Sequence, residues 1–227
     1  MTKWLKLPAF FSCIILFMLS GCEKGDDTPD PVTDIEGNIY ETVMIGNQVW
    51  MAENLRTTRL NDGSEIELIT KKQEWYNNSG PAFSWYNNDS SLFKVPYGAL
   101  YNGYVAASDK ICPVGWKLPD KEDWKSLIQT LGDTVNAGGK LKVEALSQWH
   151  YPNMGADNSS NFSALPAGMR YFEGTFSSMS YFTAYWSATE PDTSSLVFIS
   201  LSYLNSSASF GSKSKKHGFS IRCIRIN

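Results

Sequence analysis

The sequence predicts an α+β fold, and three stretches of its 227 residues carry that reading. A run of β-branched and aromatic residues turns back on itself near the start. One amphipathic helix lies in the middle. An alternating apolar strand closes the chain. Helices in the centre with strands before and after them suggest the α+β class.

The elements follow in order. Ile39-Tyr40-Glu41-Thr42-Val43-Met44-Ile45 suits a strand, Gly46-Asn47 supplies turn chemistry, and Gln48-Val49-Trp50-Met51-Ala52 returns. That is a β-hairpin pattern. Asn61-Asp62-Gly63-Ser64 is a further turn. Between Trp75 and Asn88 the tetrapeptide Trp-Tyr-Asn-Asn occurs twice, at Trp75 and again at Trp85. Two copies are too few for a solenoid. The segment reads as a long aromatic loop rich in asparagine, and Pro96 to Tyr104 as a short strand with its flanks. After Pro119, Asp120 is placed to cap a helix, with Glu122 and Asp123 in the first turn, where acids favour the positive helix end. Trp124, Leu127, Ile128 and Leu131 follow at i, i+3, i+4 and i+7, and Gly132 ends the run. A second helix is expected over Ala137 to Leu146, weakened by Gly138 and Gly139. Asn158 to Asn161 is a polar loop. Tyr185-Trp186-Ser187 and Leu196 to Leu201 read as strands. Phe219 to Arg225 alternates apolar with polar and reads as a half-buried final strand.

The start of the chain indicates location. Lys3 and Lys6 precede an apolar run from Leu7 to Leu19, which is too short for the roughly 30 Å of bilayer hydrocarbon. Leu19-Ser20-Gly21-Cys22 follows. This end resembles the lipobox of bacterial lipoprotein precursors. The resemblance implies cleavage before Cys22, acylation of Cys22, and a lipid membrane as partner; several acyl chains anchor stably where one is marginal. The alternative is an ordinary secretory signal. Residues 1–22 are thus read as signal peptide and lipobox, 23–33 as a flexible tether, and 34–227 as one domain. The tether holds Gly25, two prolines and four acids, a solvated composition. Its early acids resemble the export signal of surface-exposed lipoproteins of Bacteroidetes, which implies the outer membrane and the cell surface.

Composition narrows function. The chain has 20 basic and 23 acidic residues, and removing Lys3 and Lys6 takes the formal charge from −3 to −5. A mildly acidic, mixed surface argues against nucleic acid. Of four cysteines, Cys13 leaves with the signal and Cys22 takes the lipid. Cys112 and Cys223 are then expected to form one disulfide in an oxidising compartment, with two buried thiols as the alternative. The two histidines, His150 and His217, lie beside no nucleophile motif, so no catalytic residue is assigned. His217 reads as a solvated turn residue and His150 as a loop side chain. No metal-ligand spacing is present.

Several strings together resemble the Fibrobacter succinogenes major paralogous domain. They include Ile45-Gly46-Asn47-Gln48-Val49-Trp50-Met51-Ala52-Glu53-Asn54-Leu55, Tyr97-Gly98-Ala99-Leu100-Tyr101-Asn102, Ile111-Cys112-Pro113-Val114-Gly115-Trp116-Lys117-Leu118-Pro119, Phe162 to Arg170, Trp186-Ser187-Ala188-Thr189 and Gly218-Phe219-Ser220-Ile221-Arg222-Cys223. Gly103 stands where that family usually has Trp, and Tyr185 where a second Trp is common. The family is similar in turn to the C-type-lectin-like and formylglycine-generating-enzyme superfamily. The resemblance implies a mixed fold with an N-terminal hairpin, two helices, a loop-rich second sheet and a C-terminal strand. Glu190-Pro191-Asp192 resembles a lectin calcium tripeptide. Calcium needs six to eight oxygens and no matching Trp-Asn-Asp is present, so a turn is the preferred reading and no cofactor is expected.

Trp85, Tyr86, Asn87, Asn88, Trp149 and His150 are the candidate ligand contacts, because aromatic faces stack on sugar rings and amides bind hydroxyls. Against this, most of eight tryptophans in one domain must be core. Arg170 and Arg222 read as structural pairs at the core rim. The expectation is a lipid-anchored, non-catalytic recognition or adhesion module for carbohydrate or a surface protein. The alternatives are a structural component of an envelope complex and, more weakly, a polysaccharide-acting enzyme.

Overall fold

The computed structural model describes residues 1–2 and 29–226. The signal segment, Cys22 and most of the tether lie outside the described residues. β1 (Val32–Thr33) and β2 (Ile39–Tyr40) pair antiparallel. β1 therefore takes the last two residues of the stretch read as tether, and Val32 is buried. β3 (Thr42–Ile45) and β4 (Gln48–Met51) form the predicted hairpin, with Ile45 opposite Gln48. Gly46 takes φ 63° in the turn, a conformation glycine adopts without a Cβ penalty. The expected first strand is two strands, broken at Glu41, because Tyr40 and Thr42 serve different sheets. Tyr40 donates its hydroxyl to Asp34 Oδ2 at 2.6 Å, which fastens the β1–β2 turn to the core.

The region read as one aromatic loop is broken into short elements: β5 (Glu67–Leu68), α1 (Lys72–Asn77), β6 (Ala82–Ser84), a 3-10 turn at Tyr86–Asn88, and α2 (Ser90–Phe93). β7 (Leu100–Asn102) and α3 (Gly103–Ala106) follow. The two Trp-Tyr-Asn-Asn copies adopt different structures. Trp75 lies inside α1 beneath the Arg170 guanidinium, 4.2 Å from its ring, and donates Nε1 to Lys216 O. Trp85 precedes the 3-10 turn. Identical tetrapeptides differ here because their tertiary neighbours differ.

β8 (Trp116–Lys117) leads into α4 (Lys121–Thr130), where Asp120 and Asp123 form a capping box and Trp124, Leu127 and Ile128 are buried. Such reciprocal bonds satisfy two orphan N–H groups. α5 (Ala137–Leu141) stops five residues short of expectation. A Cβ at Gly138 would lie 2.3 Å from Ser207 O, and one at Gly139 2.1 Å from Gly155 O. The glycines are there for close backbone contact.

The second half is mostly strand: β9 (Ala167–Arg170), β10 (Phe176–Met179), β11 (Phe182–Trp186), β12 (Ser195–Ser202), β13 (Ala208–Ser214), β14 (Gly218–Phe219) and β15 (Ile224–Arg225). The large sheet runs β13-β12-β11-β9-β14-β7-β6-β5, with β10 on β9; a second runs β3-β4-β15-β8. The molecule is α+β, dominated by strands. The predicted final strand corrects to two, β14 in the large sheet and β15 in the small one. The chain between them passes through the core, so residues 217–224 are buried rather than half-buried. Cys223 on this crossing is bonded to Cys112, with Cα atoms 5.8 Å apart.

Arg170 and Arg222 are buried, not at the rim, and their partners are carbonyls rather than acids. Arg170 donates to Ile69 O, Thr70 O and Gly174 O. Arg222 donates to Asn54 Oδ1, Phe162 O and Ser163 O, with its guanidinium over the Phe162 ring. Each ties separate loops to a sheet. Among the described residues no helix is long and apolar enough to cross a membrane.

Candidate functional site

The six candidate contacts separate into three environments. Trp85 and Phe83, rings 5.3 Å apart, form the floor of an open groove of about 740 Å³. Its walls are Thr58, Arg59, the segment Glu65–Leu68 around β5, Ser90 and Lys94. Trp85 is only 6 % exposed and packs in the main hydrophobic core, with the Lys94 ammonium 5.6 Å from its ring centroid. Arg59 is paired with Glu65 at 2.7 Å. Lys94 forms no salt bridge among the described residues, although its charge acts on the Glu36 carboxylate. Beside Thr58, burial pushes the exposed Glu36 carboxyl up, but bonds from Thr58 and Thr57 outweigh that and hold it below its usual value. The groove thus combines an aromatic floor with both signs of charge and two hydroxyls.

Tyr86 corrects to a packing residue, buried between Phe93 and Phe176. Asn87 and Asn88 are exposed, both at positive φ, and Asn88 Nδ2 donates to Thr70 O. They shape the turn that carries the chain from Trp85 to α2 and do not line the groove.

Trp149 also corrects to core. It is fully buried and donates Nε1 to Ala164 O at 2.9 Å. His150, the next residue, points the other way and is exposed. Its ring stacks on Tyr181, centroids 4.6 Å apart, and meets Tyr203 edge-on at 5.6 Å; Tyr181 and Tyr203 are themselves edge-to-face at 5.1 Å. Sequence reasoning missed Tyr181 and Tyr203, which are remote from His150 along the chain. The local signal available was the Ser-Met-Ser-Tyr turn ahead of β11.

His217 is not a solvated turn residue. It is buried among Tyr171, Phe172 and Phe219, and burial lowers its basicity. Glu190-Pro191-Asp192 forms the turn before β12: Asp192 accepts from Ser194 and Ser195, and Glu190 pairs with Lys215. Among the described residues no cluster of His, Cys, Asp and Glu is gathered as for a metal ion.

The model of the Fibrobacter succinogenes major domain matches residues 43–225. The chain belongs to this family. The match runs from the β3–β4 hairpin through β15 and so covers the two larger sheets but not the β1–β2 pair. Two departures from the usual family pattern now have a place in this Fibrobacter succinogenes major domain. Gly103 allows Lys215 to approach, since a Cβ there would lie 2.6 Å from Lys215 Cα, and Gly103 N donates to Lys215 O. Tyr185 is core, beside Trp124 and Arg222. No curated protein and no solved structure matches the chain.

Proposed function

We propose that this protein is a lipid-anchored, non-catalytic recognition module of the cell envelope, exposed at the outer-membrane surface, which holds carbohydrate in the groove floored by Trp85. We also read its fold as C-type-lectin-like, a reading supported by the pairing of β4 near the start with β15 at the end. The supporting observation for function is the groove's make-up. An indole floor suits the C–H face of a sugar ring, and the carboxylates, hydroxyls and cations around it suit its hydroxyls. The anchor is supported by the Leu-Ser-Gly-Cys segment alone.

A glycan array probed with the full mature chain in detergent tests the site. Lys94→Ala removes a groove cation and Glu67→Gln a rim charge; each is expected to weaken binding of the same glycans several-fold. Array binding indifferent to both changes would rule the groove out. For the anchor, Cys22→Ser is expected to move the protein from the membrane fraction to the soluble one.

A further inference from the structure

We propose that the ring cluster of His150, Tyr181 and Tyr203 is a second carbohydrate-contact surface, independent of the groove and sharing no residue with it. His150 and Tyr181 are exposed, Tyr203 is half-buried, and all three are held in place. Tyr181 is 41 % exposed, and the adjoining Tyr151 is 74 % exposed. His150 N donates to Ser180 O at 2.7 Å, and Tyr203 N donates to Tyr181 O at 3.1 Å. These bonds fix the backbones that carry the three rings to one another.

The support beneath is polar and buried. Lys142 has no exposed surface, and its ammonium donates to Met154 O at 3.0 Å, Ser202 O at 2.8 Å and Asn205 O at 2.9 Å. Its three N–H donors are all used. Ser202 and Asn205 flank Tyr203, and Met154 follows the His150 loop, so one cation ties both loops of the cluster together. Backbone strain gathers at the same place. Asn153, Ser178 and Ser180 have φ of 42°, 65° and 68°. Non-glycine residues in this region cost energy and persist where the surroundings impose them, often at ligand sites.

The chemistry points to a polyol. His150 Nδ1 lies 2.6 Å from Tyr151 O. A carbonyl only accepts, so Nδ1 carries the proton, and in the neutral ring Nε2 is a bare acceptor. Among the described residues Nε2 has no partner. An aromatic face beside a free nitrogen acceptor and tyrosine hydroxyls matches a sugar ring, with its C–H face and its O–H donors. Two such surfaces on one body would let it hold one polysaccharide at two points, raising avidity without any new contact.

The test is calorimetric titration of the full mature chain in detergent at pH 7.5 with four neutral hexaoses: β-1,4-glucan, β-1,4-xylan, β-1,4-mannan and α-1,4-glucan. At least one is expected to bind. Tyr181→Ala should weaken it by about tenfold or more with unchanged melting temperature, and Tyr181→Phe should keep it. The His150 Nε2 resonance should move during the titration. Failure of all four hexaoses to bind overturns the proposal, as does binding that survives Tyr181→Ala.

Discussion

At the scale of single residues, buried cations do much of the cross-linking. Lys142 is the clearest case. Burial pulls its ammonium down to about 8 from 10.5, while three carbonyls hold it charged at neutral pH. In the unfolded chain it titrates near the ordinary lysine value. Between the two values the unfolded chain binds more protons, so this group makes stability rise with pH across that window. Urea unfolding of the wild type from pH 8 to 9.5 should therefore show a rising midpoint that is absent in Lys142→Met. The variant should also be weaker at pH 7 by about 1–3 kcal/mol, because buried carbonyls lose their donor. Further up the pH scale the slope reverses. Burial raises the Tyr40, Tyr101 and Tyr185 phenols, so there the folded state holds more protons. A midpoint that falls between pH 8 and 9.5 would count against the burial-lowered basicity of Lys142. Sequence gave little warning of Lys142, since an isolated lysine between Leu141 and Val143 looks like any surface residue. The pair Trp149 and His150 shows the same limit. Both read as loop contacts, but consecutive side chains point to opposite sides, and only the fold says which side is water.

At the scale of elements, legibility followed the strength of local signals. α4 matched its reading in cap, apolar face and stop because each was encoded within a few residues. Asp120→Ala should lower stability by about 1 kcal/mol, measurable by denaturant titration. A loss below a few tenths would mean that the capping box is redundant with Lys117, which pairs with both Asp120 and Asp123. α5 was legible only at its start. Its glycines argued against a helix on propensity, yet they are there because Ser207 and Gly155 lie against them. Gly138→Ala should therefore destabilise by about 1–3 kcal/mol, although alanine is the better helix former. A stabilised variant would show that the contact yields. The final strand was misread for a related reason. Its alternation suggested one wet face, whereas the chain passes between two sheets and both faces are covered.

At the scale of the molecule, one disulfide and the crossing chain unite the two sheets. The bond closes a separation of 111 residues, and the chain-entropy model assigns such a loop about 4–5 kcal/mol. Cys112→Ser with Cys223→Ser should lower the thermal midpoint by many degrees while leaving the far-ultraviolet spectrum native at low temperature. A change of only a degree or two would mean that the crossing chain alone holds the sheets together. The two candidate surfaces also belong to this scale. The groove draws on Thr58 to Lys94, a single stretch, and Trp85 within it could be suspected from sequence. The ring cluster draws on residues 150, 181 and 203, and no local pattern joins them.

The chain by itself determined the α+β class, the hairpin, the capped helix, the cysteine pair and the family, because each rests on neighbours in sequence or on strings in a fixed order. Only the tertiary structure decided which aromatic rings meet water, which charges are enclosed, and how the last residues pass between sheets. Burial is a property of the whole packed body: the same tryptophan or lysine is core or contact according to what segments distant in sequence bring against it.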